Sequence, residues 1–497
     1  MVVKTALKNT RDKNFSNWYH EVIEAAEMGE HSGVRGCMII RPWGYAIWER
    51  LQRHLDDKIR KTGHENCYFP LFIPMELIEQ EADHVSGFAK EMAVVTHHRL
   101  EASDDGSLYP SSTLKTPLIV RPTSEVMITQ AFKRWIKSYR DLPLKLNQWA
   151  NVVRWELRPR LFLRTSEFLW QEGHTVHETA QEANEEVVTM LECYRQLLEE
   201  FMSIPVISGV KSEGEKFPGA VTTHTIEAMM QDGRALQAGT SHNLGTNFAQ
   251  ASGIRYLGRD EKQAIPHTTS WGVSTRLIGA LIMVHADDNG LRLPPRLAPV
   301  QIIIIPIDRN ENLRARVHER CHEVANQIRA LNFADEPLRV KIDMKDDTPS
   351  NKRWSWVKKG VPIIIEIGPK DLETSQLAIH RRDMLDKKAV YIKANEFFKK
   401  VEVELQKIQK EMLISACNLR DEKTVTDIKD LYALRSYFND NFGFVYGKWS
   451  KDTQYENTLK EFGVTVRCYP YKQSGSYGTC IVSGRPAKTD ALFAKAY

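Results

Sequence analysis

The residues best suited to chemistry lie together between Asn151 and His174, in NVVRWELRPRLFLRTSEFLWQEGH. The run opens on an apolar strand-like segment that ends in Arg154 and Glu156, crosses a basic loop, and returns through Phe162-Leu163-Arg164. From Phe168 the spacing is two, so Phe168, Trp170, Glu172 and His174 share one face of an extended strand. A stacking ring, a wide apolar wall, a carboxylate and an imidazole make a binding floor. Arginines at its rim suit it to a small zwitterion beside a polyphosphate, because a guanidinium stays charged and grips two oxygens at once. Taken alone, the stretch also reads as an amphipathic hairpin with solvated basic residues.

Other elements bring polar residues to strand and helix ends. Leu118–Val120 reads as a strand running into Arg121-Pro122-Thr123-Ser124-Glu125 and then the helix TSEVMITQAFKRWIKS, with Thr123 or Ser124 as its cap. Thr179 and Glu182 form a capping box for a helix reaching about Met202. After the strand PVISGV and a glycine-containing loop, TTHTIEAMMQDGRA is a strand or a short helix. Gln237-Ala-Gly-Thr240-Ser-His242 follows, and Ser270-Trp271-Gly272-Val-Ser274-Thr-Arg276 opens the helix LIGALIMVHA. Small residues at such a junction let a ligand approach the backbone, and a helix apolar all round belongs at the centre.

Near the start, the spacing predicts an amphipathic helix about Asn17–Met28, and a longer one with Trp48, Leu51, Leu55 and Ile59 inward. NCYFPLFIP reads as a strand, either plain core or a dimer-forming element. Residues 83–117 have sparse periodicity and read as a substrate-covering loop or small subdomain. Proline-rich Leu293–Pro299 is the clearest boundary. Beyond it the buried-type strand QIIIIP begins alternating strands and helices, an α/β unit of about a hundred residues. Its Lys352, Arg353, Lys358, Lys359, Lys370, Arg381 and Arg382, with Trp354 and Trp356 between them, suggest either a single-stranded RNA surface or ordinary surface charge. From Asn395 a helical link leads to the last domain.

At 497 residues the chain is long enough for roughly three domains. A net charge of +4 excludes a strongly basic nucleic-acid coat and permits a local basic face. No apolar run approaches a membrane span of about 18–20 residues, and the first residues lack a signal-type apolar core. The seven cysteines show no CxxC, which fits a reducing compartment, so a cytoplasmic enzyme is expected. GxxxxGK[ST] and GxGxxG are both absent, which leaves a Rossmann enzyme without support.

In order along the chain, RPTSE, RWE, RT, EFLWQEGH, QAGTSH and SWGVSTRLIG resemble the prolyl-tRNA synthetase family, specifically its archaeal and eukaryotic type. The resemblance runs from GYAIWE to the terminal AKAY. It implies an α+β catalytic domain with an antiparallel class II synthetase sheet (1–290), an α/β anticodon-binding domain (299–394) and a small α/β C-terminal domain (395–497). It further implies a homodimer paired near Pro70, with ATP, Mg²⁺, L-proline and tRNA(Pro) as ligands. The reaction it implies joins proline to ATP as prolyl-adenylate and then to tRNA.

By the same resemblance Arg154, Arg164 and Arg276 are the catalytic arginines, with Arg276 covering the outer face of an adenine stacked on Phe168. Glu156, Thr165, Gln237, Thr240 and Ser274 complete the ATP site, with Gln237 also near Mg²⁺. Thr123, Glu125, Trp170, Glu172, His174, His242 and Ser270, with Arg154, form the proline site. Glu366, Lys370, Asp371 and Arg381 are the anticodon candidates. No editing domain is expected between His174 and Gln237. Three positions depart from the family pattern. Of the cysteines that bind zinc in the last domain Cys480 alone survives, with Ser483 in the CxxC partner position, so no structural zinc is expected. Ser166 stands where the family has arginine, and Leu161 where it has proline.

Overall fold

A computed structural model of the chain describes residues 5–79, 91–308, 311–386 and 388–497. Two helices open it. In α1 (Phe15–Ala25) the buried positions Trp18, Tyr19, Val22 and Ile23 recur at helical spacing. In α2 (Pro42–Lys61), Pro42 takes the first turn, where its missing N–H costs nothing, and Lys58, Arg60 and Lys61 sit at the negative end of the helix dipole. The expected strand NCYFPLFIP forms only at its ends, as β1 (Glu65–Asn66) and β2 (Phe72–Pro74). Between them the backbone is held by side chains: Phe69 N–H donates to Gln148, and Arg121 donates to the Phe69 carbonyl at 2.6 Å. Pro70 has no N–H to give a ladder.

The segment read as irregular is instead, from Ala93 on, a long antiparallel hairpin of β3 (Ala93–Ala102) and β4 (Leu108–Val120). Most of its side chains are solvated on both faces, so it carries no hydrophobic alternation for a sequence reading to detect. Residues 83–90 of that segment lie outside the described residues. Helix α3 (Glu125–Trp135) follows; Ser124 occupies its N-cap but makes no side-chain cap bond, because its hydroxyl accepts from Gln148 at 3.2 Å.

The catalytic sheet is built from β5 (Leu144–Val153), β6 (Glu167–His177), β7 (Val206–Val210), β8 (Thr222–Met229), β9 (Ala235–Gly245) and β10 (His267–Ser274). In space the order is β7-β8-β9-β10-β6-β5, antiparallel throughout, with β1 added in parallel at the β5 edge. Helix α4 (Ala180–Gln196), with the Thr179–Glu182 capping box in place, and the apolar α5 (Arg276–His285) cover it. Every residue of Leu277–His285 is buried. TTHTIEAM is a strand, β8, and residues 178–234 supply α4, β7 and β8 to the core. On β6, a Cβ at Gly173 would meet the ring of Trp271, its cross-strand partner on β10, at 2.0 Å, so the place of that ring against the sheet requires glycine there.

The next unit contains β11 (Ile302–Pro306), α6 (Glu311–Arg329), β12 (Val340–Ile342), α7 (Pro349–Lys358), β13 (Ile363–Ile367), β14 (Gln376–Arg381) and β15 (Val390–Lys393). Its sheet order is β12-β11-β13-β14-β15, parallel in the first three strands and antiparallel in the last two. Val317, Cys321, Val324, Ala325 and Ile328 are the buried stripe of α6. The helical link is α8 (Ala394–Glu422), and much of it is more than a link: Phe397, Val401, Leu405, Ile408 and Met412 belong to the core of this unit.

The last domain adds β16 (Thr424–Val425), α9 (Leu431–Asp440), β17 (Phe444–Trp449), β18 (Thr465–Pro470) and β19 (Thr489–Ala494). Its order β16-β17-β19-β18 continues directly into β7, because Tyr469 and Pro470 pair with Val210 and Gly209. The small domain therefore extends the catalytic sheet to 11 strands. Cys480 is buried against Trp449, Ile481 and Val482. The Ser483 N–H donates to its sulfur at 3.4 Å, and the Ser483 hydroxyl donates to Ser450 at 3.2 Å.

Candidate active site

Strand β6 presents Phe168, Trp170, Glu172 and His174 on one face, as the period-two spacing predicts, and together they line a cavity of about 330 Å³. Strand β5 ends at Val153 and delivers Arg154 to the rim; the Arg154 Nε donates to the Pro122 carbonyl at 2.9 Å. Its guanidinium lies over both rings of the floor, 5.6 Å from the Phe168 centroid and 5.5 Å from that of Trp170. The cation over Phe168 is Arg154, because β5 pairs directly with β6; Arg276 enters from the first turn of α5.

One end of the cavity is acidic and tightly bonded. Glu172 is 2% exposed; it accepts from Gln148 at 2.8 Å and from the Ser124 N–H at 3.3 Å, and pairs with His174 at 3.0 Å. Burial works against its charge, but the bonds from His174, Ser124 and Gln148 outweigh it and hold its carboxyl below the usual range. Burial likewise opposes a charged His174, yet Glu172 raises it, so the two form an ion pair. Glu125 lies beside them, bonded by the Thr123 hydroxyl, with its carboxyl raised by burial. His242 is pushed down to about 3 by burial and by His224, His174 and Lys211, so it is a neutral imidazole; it shares a 3.0 Å bond with Thr223. Among the described residues the Trp170 indole N–H and the Ser270 hydroxyl are buried without a partner. A buried donor left unmade is costly, and two of them on residues that line one cavity mark where a ligand's polar atoms belong.

The other end is basic. Gln237, Thr240, Ser274 and Arg276 line it. Burial, with Arg164 and Arg154 nearby, brings the Arg276 guanidinium down to about 10, and its Nε donates to the Leu163 carbonyl at 3.3 Å. A connected recess of about 150 Å³ holds Glu156, Arg164 and Thr165 and shares Arg154, Phe168, Ser274 and Arg276 with the main cavity. Arg164 reaches Glu156 at 3.6 Å. The structure therefore gathers all the candidate proline and ATP residues; Thr123 alone stands one bond back, behind Glu125.

Ser166 is where it must be. The Arg154 N–H donates to its carbonyl at 2.7 Å, its hydroxyl accepts from the Glu156 N–H at 3.1 Å, and its own N–H donates to Gly36 at 2.7 Å. A Cβ at Gly36 would lie 2.2 Å from that hydroxyl, so a long side chain at 166 has no space in this packing. Leu161 is buried, and its carbonyl accepts from Tyr19 at 2.7 Å.

Sequence reasoning missed Gln148, Ser124, Glu91 and the loop residues Glu215–Pro218, which close the cavity. Phe217 packs on His242 with centroids 4.7 Å apart. Gln148 was detectable, as a polar residue inside the mostly apolar β5; the loop has no periodic signal.

The anticodon candidates fare differently. Arg381 is tied to Asp383, Glu404 and Glu411 at 2.6–3.0 Å. Asp371 caps the Gly368 N–H at 2.8 Å, and Glu366 pairs with His380 and Arg353. Lys370 is exposed. Much of the wider basic cluster is not an open RNA surface: Lys352 is buried against the Asp343 carbonyl, Lys359 pairs with Glu27, and Arg382 grips Asp287 at 2.6 and 2.7 Å. Trp356 is buried against Trp43. Lys359, Arg382 and Trp356 join the α/β unit to the catalytic domain, whereas Lys352 is bonded within the unit.

Residues 111–285 match the class II tRNA synthetase core domain (G, H, P, S and T), 301–404 the anticodon-binding domain, and 433–497 the prolyl-tRNA synthetase C-terminal domain. The proline–tRNA ligase of Paramagnetospirillum magneticum is 53% identical over 498 residues, covering 99% of both chains. The chain belongs to the prolyl-tRNA synthetase family. Proline–tRNA ligases of Protochlamydia amoebophila and Bdellovibrio bacteriovorus are each 50% identical, covering 99% of this chain and of their own. The core domain precedes the anticodon-binding domain, and the cavity lies wholly in the former.

Proposed function

We propose that the chain ligates L-proline to tRNA(Pro) through prolyl-adenylate. One observation carries the reading: Trp170 and Ser270, whose N–H and hydroxyl have no partner among the described residues, line a cavity that is acidic at one end and arginine-lined at the other. A secondary ammonium fits the acidic end, bonded by Glu125 and Thr123, with the ring against Trp170 and His242. Its carboxylate then points toward Arg154. At the basic end adenine stacks on Phe168, Arg164 and Arg276 take the outer phosphates, and Glu156, Thr165, Gln237, Thr240 and Ser274 contact base, ribose or phosphate.

The proline carboxylate oxygen attacks the α-phosphorus, the bond to the bridging oxygen breaks, and pyrophosphate leaves. A ribose hydroxyl of the tRNA end then attacks the prolyl carbonyl and releases AMP. The protein's part is to hold two anions in line and stabilise the charge that builds between them, which fixed guanidinium groups do without reorganising. Among the described residues no group of three or more His, Cys, Asp or Glu is placed to hold a metal. A Mg²⁺ would thus be held mainly by the triphosphate, with the Gln237 amide oxygen as one protein donor, and would offset phosphate charge.

We also read the chain as three domains, 1–290, 299–394 and 395–497, with much of α8 packed on the middle one. We read it further as a cytoplasmic homodimer. Exposed Tyr68 and Phe72 beside Pro70 support the dimer; no helix of the described residues is long and apolar enough to cross a membrane. The motif order and the lack of an inserted domain in residues 178–234 favour the archaeal and eukaryotic type, although the relatives named above come from bacteria and lend that type no support. Amino-acid-dependent ATP–pyrophosphate exchange with each of the twenty amino acids tests the function. Exchange led by proline, with alanine a weak second, is expected; exchange led by another amino acid would sink the pocket assignment.

A further inference from the structure

Among the described residues the last domain lends no side chain to the walls of the cavity, yet it sends one buried charge to the strand behind them. From β18 the Arg467 Nε and Nη2 donate to Glu227 on β8 at 3.0 and 2.9 Å. The Lys211 ammonium donates to the other Glu227 oxygen at 2.8 Å, and the Thr225 hydroxyl adds a bond at 2.9 Å. Glu227 is fully buried, and the Lys211 and Arg467 side chains are only 2% and 8% exposed. A tie between domains needs one cation per carboxylate, and even a well-made buried pair stabilises little compared with apolar packing. Here two basic side chains meet one carboxylate; burial lowers the pKa of the Lys211 ammonium although Glu227 opposes it, so the guanidinium of Arg467 is the fixed charge of the cluster.

Its place in the sheet explains why that charge matters. The β8 ladder is bulged between Ile226 and Glu227, and just after the bulge Glu227 stands opposite Gln237 on β9. The Thr225 hydroxyl also reaches the Gly239 carbonyl at 3.5 Å. Gln237, Gly239 and Arg276 all line the basic end of the cavity. Arg467 and Glu227 are close enough to act on the charge of Arg276, in opposite senses.

We propose that Arg467 is a positioning residue for the ATP end of the cavity: through Glu227 it holds the bulged strand opposite Gln237. The inference rests on the reading above that this end takes ATP. Equilibrium binding of ATP with Mg²⁺ to the full chain, with proline affinity and the thermal midpoint measured alongside, tests it. Arg467→Met is expected to weaken ATP about tenfold and leave proline within about twofold, while Arg467→Lys returns ATP to within about threefold of the unaltered chain. A folded Arg467→Met with unchanged ATP affinity, or with ATP and proline weakened equally, would overturn the proposal. Should that variant not fold, Thr465→Val removes only the hydroxyl that accepts from Arg467 at 2.9 Å. It is expected to weaken ATP about twofold to threefold, and no change would overturn the idea. Proline-dependent exchange by the unaltered chain is a separate readout: its absence would defeat the proposed function and leave the ATP affinities to decide this inference.

Discussion

The catalytic cavity and the anticodon-binding unit are both rich in arginine, and the structure treats the two sets in opposite ways. In the cavity Arg276 meets no carboxylate within ion-pair distance among the described residues, and Arg164 has only a long contact with Glu156. In the α/β unit Arg381 is held by three carboxylates and Arg382 by Asp287. A cation already neutralised by the protein has little left for a ligand, whereas one kept in a cavity without a carboxylate partner is poised for an anion. Residue type alone does not separate a binding arginine from a structural one; the partner does.

The sharpest way to break this contrast is to remove one arginine from each set. Arg276→Met should cut proline-dependent exchange by about a thousandfold, of the order seen when one pre-set electrostatic donor is lost, and leave the thermal midpoint close to that of the parent chain. Arg381→Met should do the reverse, lowering the midpoint while exchange stays within about twofold. If Arg381→Met silenced exchange in a stable protein, the distinction would be wrong.

Next in size is the joint between the two regions. Arg382→Met strands Asp287 behind the α/β unit, and about 3–5 kcal/mol of stability should be lost, seen as an earlier urea transition of the full chain. Within the cavity, Ser270→Ala removes one of the two donors left free for the ligand. The KM for proline should rise about tenfold, as for one lost buried hydrogen bond, with the KM for ATP unmoved; a shift in ATP instead would reverse the assignment of the two ends.

The acidic end also has a pH signature. Burial raises the Glu125 carboxyl, so its charged form, the one that accepts from an ammonium, appears only as pH climbs through a value above the ordinary carboxylate range. The KM for proline should therefore fall as pH rises from acid toward neutral, and Glu125→Gln should flatten that dependence. The smallest effect belongs to the exposed cation of the α/β unit: Lys370→Ala should raise the KM for tRNA about twofold to threefold, as for one lost phosphate contact, and leave exchange without tRNA untouched.

What could be read from the sequence was what the backbone repeats locally. Alternation places Phe168, Trp170, Glu172 and His174 on one face whatever lies around them, and the three- and four-residue spacing of Val317, Cys321, Val324 and Ile328 orients α6 in the same way. The floor of the cavity, the central helix α5 and the order of the α/β unit were legible for that reason. The hairpin of β3 and β4 was not, since solvent on both faces removes the pattern. Nor was the joining of the last domain to the catalytic sheet, which depends on Tyr469 meeting Val210 across more than half the chain. Charge pairing was hidden for the same cause. Asp287 neutralises Arg382 from 95 positions away, and Glu227 meets Arg467 across 240. A chain's own order states which charges it has; only folding brings the distant partner that decides whether a charge is spent on structure or kept for a substrate.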